Sequence, residues 1–411
     1  MKATYLSTVR LRDLGRIVTG KTPSSKKPEL FGDAYPFITP SEMEFGRRIA
    51  KPVRFLSEAG ARAQASLMLP PGSVAFVCIA SIGKACVVKE ASFTNQQVNS
   101  IVVDTEHYDP DYVYYLLVFS RRRIQSYAGG AATPIINKSD FGGIEVSVPP
   151  LPVQRIIASA LSSYDDLIEN NMRRIEILEE MARRLYEEWF VQFRFPGHEG
   201  VEFKESELGL IPEGWKVVAL ETAVEINPKT KVERDGEKVF VPMGALSETG
   251  MVISGWEIKS GNSGAKFQNG DTLVARISPC LENGKTGFVD FLPANQPTAC
   301  GSTEFIVLRS RSLCPEMVYC LSRSDRFREV AMKSMSGATG RQRVRVESLL
   351  GYPIAQPENE LVAKYHAFAQ PCFKEIRVLA NKNANLRQQR DLLLPKLISG
   401  EIDVSDIPMP T

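Results

Sequence analysis

The feature that most constrains the fold of this chain is an internal repeat, in which a globular stretch and a long helix each occur twice. The first globular stretch ends at Pro150, and the second runs from about Gly197 to Pro357. Each leads into a segment with the heptad periodicity of a coiled coil. Every shorter motif can therefore be compared with its counterpart in the other copy. Two similar units with two helical spacers suggest a protein that measures two sites at a fixed separation.

The two globular copies match segment by segment. The matched pairs are Gly72 and Gly270 before an apolar strand, Lys84 and Lys285 in a Gly-Lys turn, Ile101 and Ile306 in a later strand, and Pro110 and Pro315 at a helix start. Proline at the first helical position, followed by an acidic residue, is typical of a helix start. Strands dominate both copies and each has one clear helix, which predicts mixed α/β units.

The spacer segments have the 3-4 spacing of a coiled-coil seam. In the first, the rows are Ile157, Tyr164, Asn171, Leu178 and Leu185, and Leu161, Ile168, Ile175, Ala182 and Trp189. In the second, they are Val362, Ala369, Ile376, Asn383 and Arg390, and Tyr365, Cys372, Leu379, Leu386 and Leu393. A seam asparagine fixes register at a cost in stability. We predict antiparallel pairing that brings Asn171 near Asn383; the alternative is two independent helices, each packed on its own domain.

Antiparallel pairing of repeated units predicts a pseudo-two-fold molecule of the mixed α/β (α+β) class. Its length of 411 residues is sufficient for two or three domains. The predicted segments are a first globular domain at 1–150, a central spacer helix at 151–196, a second globular domain at 197–357, a C-terminal spacer helix at 358–400 and a tail at 401–411.

Composition excludes several classes of protein. A hydrophobic content of 43% and a charged content of 24% are ordinary for a soluble globular chain. No apolar run is long enough to span a bilayer, and the first residues carry charges where a signal peptide needs its apolar core. The seven cysteines include no CxxC pair, which favours reduced thiols and argues against a zinc site of that type. We expect a cytoplasmic protein with no membrane association and no bound metal.

Two enzyme-like motifs are contradicted by their context. Residues 15–22 match the GxxxxGK[ST] phosphate-loop pattern, but the prolines after Thr22 cannot continue the helix that this loop requires. The sequence Asp109-Pro-Asp-Tyr112 is one letter from a methyltransferase motif, yet its counterpart at Cys314 keeps only the helix-start proline. We therefore expect no nucleotide site and no methyl transfer by this chain. The sequence contains no strong catalytic constellation.

Basic and amide side chains recur at equivalent places in both copies. Lysine and arginine suit phosphate or guanine, whereas asparagine and glutamine can pair with adenine edges. The candidate DNA-binding residues are Lys84, Asn137 and Lys138 in the first copy and Arg276, Lys285, Arg341, Gln342 and Arg343 in the second. A further basic patch is predicted from Lys21, Lys26, Lys27, Arg47 and Arg48. For any single residue the alternative is a solvated surface charge. The net charge of +2 does not by itself indicate a nucleic-acid ligand.

With these motifs the chain resembles the specificity subunits of type I restriction–modification systems over essentially its whole length. The motifs that carry the resemblance are Gly20-Lys-Thr-Pro-Ser24, Tyr186-Glu-Glu-Trp-Phe-Val191, Arg194-Phe-Pro-Gly197, Gly209-Leu-Ile-Pro-Glu-Gly-Trp215 and Leu394-Pro-Lys-Leu-Ile-Ser-Gly-Glu-Ile402.

The resemblance implies that each globular unit is a target recognition domain that reads one half of a split DNA sequence. It implies that the spacer helices form an antiparallel coiled coil that sets the gap between the half-sites. The implied partners are double-stranded DNA, two modification subunits that methylate adenine with S-adenosylmethionine, and two restriction subunits that use ATP. This chain itself would bind no cofactor and would have no catalytic activity.

Two rival functions remain at this point. The chain could serve a methyltransferase that has no nuclease partner, which only a neighbouring restriction gene would distinguish. It could instead be a coiled-coil scaffold that binds proteins alone, which salt-dependent DNA binding would exclude. The target sequence cannot be deduced, because base recognition depends on loop geometry and DNA shape.

Overall fold

The computed structural model describes residues 6–43, 46–47, 52–129, 133–338 and 341–407. The chain divides into two compact units: unit 1 contains residues 1–170 and 383–411, and unit 2 contains residues 171–382. Two long helices, α4 (Leu151–Tyr186) and α9 (Asn359–Ile398), contribute residues to both units. Among the described residues, no helix has the length and apolar character needed to cross a membrane.

Unit 1 is a mixed α/β structure with one main antiparallel sheet. Its strands are β1 (Ser7–Arg10), β2 (Gly15–Thr19), β3 (Phe31–Ile38), β4 (Phe55–Leu56), β5 (Val74–Val77), β6 (Ala85–Val87), β7 (Phe93–Thr94), β8 (Val98–Val103) and β9 (Glu145–Val148), and its shorter helices are α1 (Glu58–Ala63), α2 (Pro110–Gln125) and α3 (Lys138–Gly143). The main sheet has the order β2-β8-β5-β6, while β1 pairs with β9 and β3 lies between β4 and β7.

Unit 2 repeats this arrangement. Its helices are α5 (Leu220–Ala223), α6 (Pro315–Arg323), α7 (Asp325–Lys333) and α8 (Glu347–Leu350). Its strands are β10 (Phe203–Ser206), β11 (Gly209–Pro212), β12 (Lys216–Ala219), β13 (Val224–Ile226), β14 (Glu237–Val241), β15 (Glu257–Ser260), β16 (Ala265–Gln268), β17 (Thr272–Ala275), β18 (Thr286–Phe288), β19 (Thr298–Gly301), β20 (Phe305–Ser310), β21 (Met335–Ser336), β22 (Arg343–Val344) and β23 (Pro353–Gln356). The order β13-β20-β17-β18 matches the main sheet of unit 1, and β12 pairs with β23 as β1 does with β9. The duplication read from the sequence therefore extends to strand order.

In unit 1, strand β5 of the main sheet is apolar on both faces because both faces are covered. In β5, Val74 and Phe76 pack in one core cluster with α2, whereas Ala75 and Val77 pack in a second cluster on the opposite face. Successive side chains of a strand point to opposite faces, so an uninterrupted apolar run such as VAFV is what a doubly covered strand requires.

The helix after the main sheet differs between the copies. In unit 1, α2 is continuous, and Asp109 caps it by accepting a hydrogen bond from the Tyr112 amide. The unit 2 counterpart is broken into α6 and α7, where Ser324 has an extended ψ of 144° and its hydroxyl accepts from the Phe327 amide. The expectation of one clear helix is therefore wrong for unit 2. The reason is local, since serine is a favoured N-cap and offers the backbone an alternative to continuing the helix.

The spacer helices pair antiparallel in each unit. In unit 1, the Asn383 side-chain amide donates to the Ile168 carbonyl at 3.4 Å, and Arg390 forms an ion pair with Asp165. As residue numbers fall along α4 they rise along α9, which is the antiparallel direction. All residues of the predicted heptad rows are buried or half-buried.

Unit 2 shows the same direction of pairing. The Arg174 guanidinium lies 3.3 Å from the Glu375 carboxylate, and the Tyr365 hydroxyl donates to the Ala182 carbonyl at 3.0 Å. Asn171, in unit 2, is half-buried. Its proximity to Asn383, and with it the pseudo-two-fold arrangement and the domain limits, stays a prediction.

The central helix stops short of the predicted end of its spacer at residue 196. It continues beyond Tyr186 as a π-helical turn, Glu187–Val191, and Phe193 then takes a positive φ of 57°. A left-handed residue of this kind ends a helix, and a bulky side chain in this conformation is uncommon. The aromatic ring of Phe193 packs edge-on against Trp215 at a centroid distance of 5.3 Å, which provides a local compensation.

Candidate nucleic-acid interface

The Gly-Lys turns join matching strands in the two units. Lys84 lies in the turn between β5 and β6, is half-buried, and donates from Nζ to the Pro40 carbonyl at 3.1 Å. Lys285 lies directly before β18 and is also half-buried. The preceding residues Gly83 and Gly284 have positive φ values of 107° and 78°, a backbone conformation that glycine adopts without steric cost. The repeated Gly-Lys pair is therefore a repeated turn.

Arginines of the following helix pack against both turns. A Cβ at Gly83 would lie 2.5 Å from Cγ of Arg121, so only glycine leaves room for this side chain. In unit 2, Arg323 donates from Nη1 to the Gly284 carbonyl at 2.8 Å. Each turn thus combines a lysine with a helix arginine in a small basic cluster. The sequence analysis did not single out Arg323, which is the last residue of α6.

The loop after the helix docks at the same place in both units. In unit 1, Ile135 forms bridges with Ile79 and Gly129, just beyond β5. In unit 2, Arg343 forms a bridge with Ile277, just beyond β17. The scaffold positions are equivalent, but an exposed isoleucine in one copy is replaced by an arginine in the other. The surface presented beside each main sheet therefore has a shared framework and different chemistry.

Four of the predicted residues in unit 2 come together at this docked loop. The Arg276 side chain donates from Nη2 to the Val344 carbonyl at 3.2 Å. The Gln342 carbonyl accepts from the Ser278 amide at 3.0 Å, and Arg343 adjoins it. Arg341 is exposed in the same loop, although residues 339–340 before it lie outside the described residues. The structure thus places Arg276 with residues 341–343.

An acidic neighbour holds Arg343. Its guanidinium donates to both carboxylate oxygens of Glu304, at 2.6 and 2.9 Å, and this hydrogen bonding lowers the pKa of Glu304. Arg343 is about half exposed, so the pair is in contact with water. The sequence analysis missed Glu304, which directly precedes β20. No sequence periodicity connects this position with the loop that contains Arg343.

The two residues predicted in unit 1, Asn137 and Lys138, differ in their structural environment. Asn137 caps α3: its side-chain oxygen accepts from the Asp140 amide at 2.9 Å, and its amide donates to the Asp140 carboxylate at 2.7 Å. This capping gives Asn137 a structural role whether or not it reaches a base. Lys138, the first residue of α3, is exposed. Contact of either residue with DNA stays a prediction.

The further basic patch predicted for unit 1 is only partly exposed. Lys21, Lys26 and Lys27 are exposed. Arg47, by contrast, is buried in ion pairs with Asp111 and Asp166, so the expectation that it contributes a free surface charge is wrong. Sequence alone gave no sign of these two acidic partners, which are distant in the chain. Arg48 lies outside the described residues.

Residues 15–22 match the phosphate-loop pattern, but in the structure they begin with a strand and no helix follows them directly. Gly15–Thr19 is β2, and the next helical turn in the chain is a three-residue 3₁₀ turn at Pro28–Leu30. A phosphate loop needs a helix N-terminus directly after its Gly-Lys-Thr, and this segment does not provide one.

The structure thus combines a duplicated mixed α/β fold, two long paired helices and docked loops of different chemistry on one framework. A family model described as the type I restriction modification DNA specificity domain matches residues 6–180. This part of the chain matches the DNA specificity domain of type I restriction enzymes, and the chain is similar to their specificity subunits.

Individual relatives are similar to the chain over stretches of different length. The type I restriction enzyme MjaIX specificity subunit of Methanocaldococcus jannaschii is 26% identical over 417 residues, which cover 97% of this chain and 94% of that protein. The HindI specificity subunit of Haemophilus influenzae is 33% identical over 184 residues, 43% of this chain and 39% of that protein. The crystal structure of the type I restriction-modification system S subunit from M. genitalium has the same fold, with a TM-score of 0.58 at 15% identity and coverage of 95% and 96% of the two chains.

Proposed function

We propose that this chain is the DNA-recognition subunit of a type I restriction–modification complex and that each unit reads one half of a bipartite target. The observation that carries the proposal is the docked loop, which occupies an equivalent place in both units and presents Ile135 in one and Arg343 in the other. Two readers of different half-sites need a common framework with different side chains at the reading surface.

The mechanism we propose is positional. Lys84 and Lys285, each beside a helix arginine, would contact phosphates and set the orientation of each unit on the duplex. Residues 341–343 of unit 2, and Asn137 and Lys138 of unit 1, would approach base edges in a groove. Phosphate contacts orient a protein without carrying sequence information, whereas base-edge contacts specify the sequence. The paired helices α4 and α9 would fix the gap.

The partners proposed for this chain supply the chemistry. Two modification subunits would methylate adenine with S-adenosylmethionine, and two restriction subunits would use ATP. This chain would bind neither cofactor and would act as the non-catalytic specificity subunit. Its contribution to catalysis is the choice of DNA sequence.

The salt dependence of DNA binding tests the role of the turn lysines. The full chain in complex with its modification subunit should bind DNA with an affinity that falls steeply with salt, because bound phosphates release counterions. Replacement of both lysines, Lys84→Ala with Lys285→Ala, should reduce the slope of log K against log salt by about 2, since each phosphate contact contributes about 1.

Lys364→Ala is the matched control, because Lys364 pairs with Glu360 on the solvent side of α9. An unchanged slope in the double variant would contradict the assignment of the turns. Binding that does not depend on salt, or no DNA binding at all, would instead favour the protein-only scaffold.

A methyltransferase-only complex is the second candidate. Methylome sequencing of the host with and without this gene identifies the bipartite target in either case. A restriction gene beside this one would distinguish the two complexes.

A further inference from the structure

Three potential metal ligands of different types meet where α6 packs on α9 in unit 2. Sγ of Cys314, a carboxylate oxygen of Glu316 and a ring nitrogen of His366 all lie within 4.8 Å of one another. Oε2 of Glu316 and Nδ1 of His366 are 2.8 Å apart. Cys314 and Glu316 are 7% and 3% exposed, and His366 is half-buried. The set combines a buried interior with one side open to solvent.

These ligand types are the ones that zinc prefers. Zinc binds cysteine sulfur at about 2.3 Å and histidine nitrogen or carboxylate oxygen at about 2.0–2.2 Å, usually in a tetrahedron. From those bond lengths, the ligand atoms in such a tetrahedron are about 3.3–3.6 Å apart. The three ligands therefore need to move by only a fraction of their present separations. The exposed side of His366 leaves a position for water as the fourth ligand.

The charges also balance. A cysteine thiolate and a glutamate carboxylate carry two negative charges, a neutral histidine carries none, and a zinc ion carries two positive charges. The bound group would be neutral overall, which is the favourable condition for a buried site. Cys314 is the N-cap residue of α6 and Glu316 lies in its first turn, and the N-terminus of a helix stabilises negative groups there.

The equivalent positions of unit 1 show that the scaffold does not require these residues. Asp109 occupies the position of Cys314 and caps its helix, whereas Cys314 makes no side-chain capping bond. Ala158 is the eighth residue of α4, as His366 is of α9, and it is buried in the apolar core. The cysteine and the histidine thus appear together in one copy, at positions that the fold brings within reach of Glu316.

We propose that Cys314, Glu316 and His366 form a structural zinc site that fastens the start of α6 to α9. The absence of a CxxC pair led the sequence interpretation away from a metal, because these ligands are separated in the chain and meet only in the fold. The site lies in unit 2 and would stabilise that unit independently of DNA.

Metal content of the full chain tests the site. After incubation with Zn²⁺ and exhaustive dialysis, the wild-type chain should retain one zinc per chain, measured by elemental analysis. Cys314→Ser and His366→Ala should each weaken retention by about tenfold or more, because a site of three protein ligands loses one of them. Zinc should also raise the Tm of the wild-type chain and leave the Tm of both variants unchanged.

Two controls separate this site from incidental binding. Cys320→Ser changes another buried cysteine of α6, one that contacts the Tyr365 hydroxyl, and should keep the zinc. His107→Ala removes the histidine from the exposed group of Asp104, Glu106 and His107 and should also keep it. Loss of zinc in either control, with retention in the Cys314 variant, would overturn the proposal.

A spectrum of the wild-type chain does not depend on how the variants fold. Co²⁺ added in place of Zn²⁺ should give the charge-transfer absorption of a thiolate–cobalt bond together with the visible bands of tetrahedral cobalt. Absence of the charge-transfer absorption, or failure of the wild-type chain to retain zinc, would overturn the site and leave Glu316 and His366 as a hydrogen-bonded pair.

Discussion

Arg343 illustrates how one residue can be both structurally held and available to a ligand. Its guanidinium is engaged by Glu304, but the pair is exposed to water. Exposed ion pairs contribute only about 0.2–1 kcal/mol, so a phosphate or a guanine could replace the carboxylate at a small cost in free energy. Glu304 would then act as a competitor that weakens nonspecific binding.

Glu304→Gln is expected to strengthen DNA binding of the complex with its modification subunit. Removing the negative charge frees Arg343 and reduces repulsion of phosphates, so the Kd should fall by about 1.5- to 5-fold, the equivalent of 0.2–1 kcal/mol. Titration of a labelled duplex at constant salt measures the effect. Glu329→Gln removes one negative charge from α7, elsewhere in the same unit, and is the control. Equal or weaker binding by the Glu304 variant would show that the carboxylate does not compete.

Glu179 is a buried carboxylate whose protonation affects the stability of the folded chain. Its carboxylate accepts from the Tyr319 hydroxyl at 2.5 Å and from the Met251 amide at 3.0 Å. Burial raises its pKa above the ordinary value, and these two hydrogen bonds offset the increase only in part. The folded chain therefore holds this proton more tightly than the unfolded chain does.

The pH dependence of stability follows from the raised pKa of Glu179. Between the ordinary glutamate pKa and the higher folded value, the folded state binds more protons, so this residue's contribution to stability decreases as pH rises. Above the folded pKa the decrease is complete. Glu179→Gln should remove this component, which urea unfolding from pH 4 to pH 8 can measure. The matched control is Glu176→Gln on the exposed face of the same helix. A stability difference between wild type and Glu179→Gln that is constant with pH would contradict the assignment.

At the scale of elements, a polar contact fixes α2 on the spacer helices of unit 1. The Tyr115 hydroxyl donates to Asp165 on α4 at 2.5 Å, and Asp165 also accepts from Arg390 on α9. Tyr115 and Asp165 are 1% and 8% exposed. A buried carboxylate is stable only when its hydrogen bonds and its charge are satisfied, so these three residues constrain the position of α2.

Tyr115→Phe should therefore destabilise unit 1. The substitution keeps the ring but leaves one oxygen of a buried carboxylate without this donor, which costs about 1–3 kcal/mol. Urea denaturation should show a lower midpoint for the transition of unit 1. Tyr127→Phe, at a tyrosine that is 48% exposed, should have little effect. Equal midpoints for wild type and Tyr115→Phe would mean that packing alone holds the helix.

The same contact shows where prediction of elements from sequence succeeds and fails. The heptad rows were predictable because a coiled-coil seam repeats along one segment. Arg390 was placed in a row, but its partner Asp165 could not be found, since the ion pair depends on how two distant helices meet. The break at Ser324 was equally hidden, because α6 and α7 together have the length and apolar spacing of one helix.

At the scale of the whole molecule, the repeat predicted which segments of the two copies correspond. The Gly-Lys turns and the helix-start prolines were found by matching one copy to the other, whereas strand order and the docking of the loops came from the structure. What the repeat could not predict is how individual charges are used: Arg47 is buried by acids, and Asn137 caps a helix. Charge and amide groups suit both DNA and internal partners, so composition alone cannot separate these roles.

The proposed role of the spacers in setting the gap is testable on the complete complex. Inserting one heptad at matched positions in α4 and α9 adds about 10.5 Å of helix, or about three base pairs of DNA. We expect the gap in the methylated target to lengthen by about that amount while both half-sites stay the same. Methylome sequencing of a host carrying the variant measures both. Changed half-sites with an unchanged gap would refute the ruler function of the helices.

The pairing of β1 with β9, and of β12 with β23, has an evolutionary consequence. Each pair joins a strand near the start of a repeated copy, β1 or β12, to the strand that leads into the next long helix. The two ends of the intervening segment therefore lie side by side. Such a segment can be exchanged as a genetic cassette without rerouting the chain. Recombination within the gene could then produce a new target specificity in one event, while the spacer helices remain unchanged.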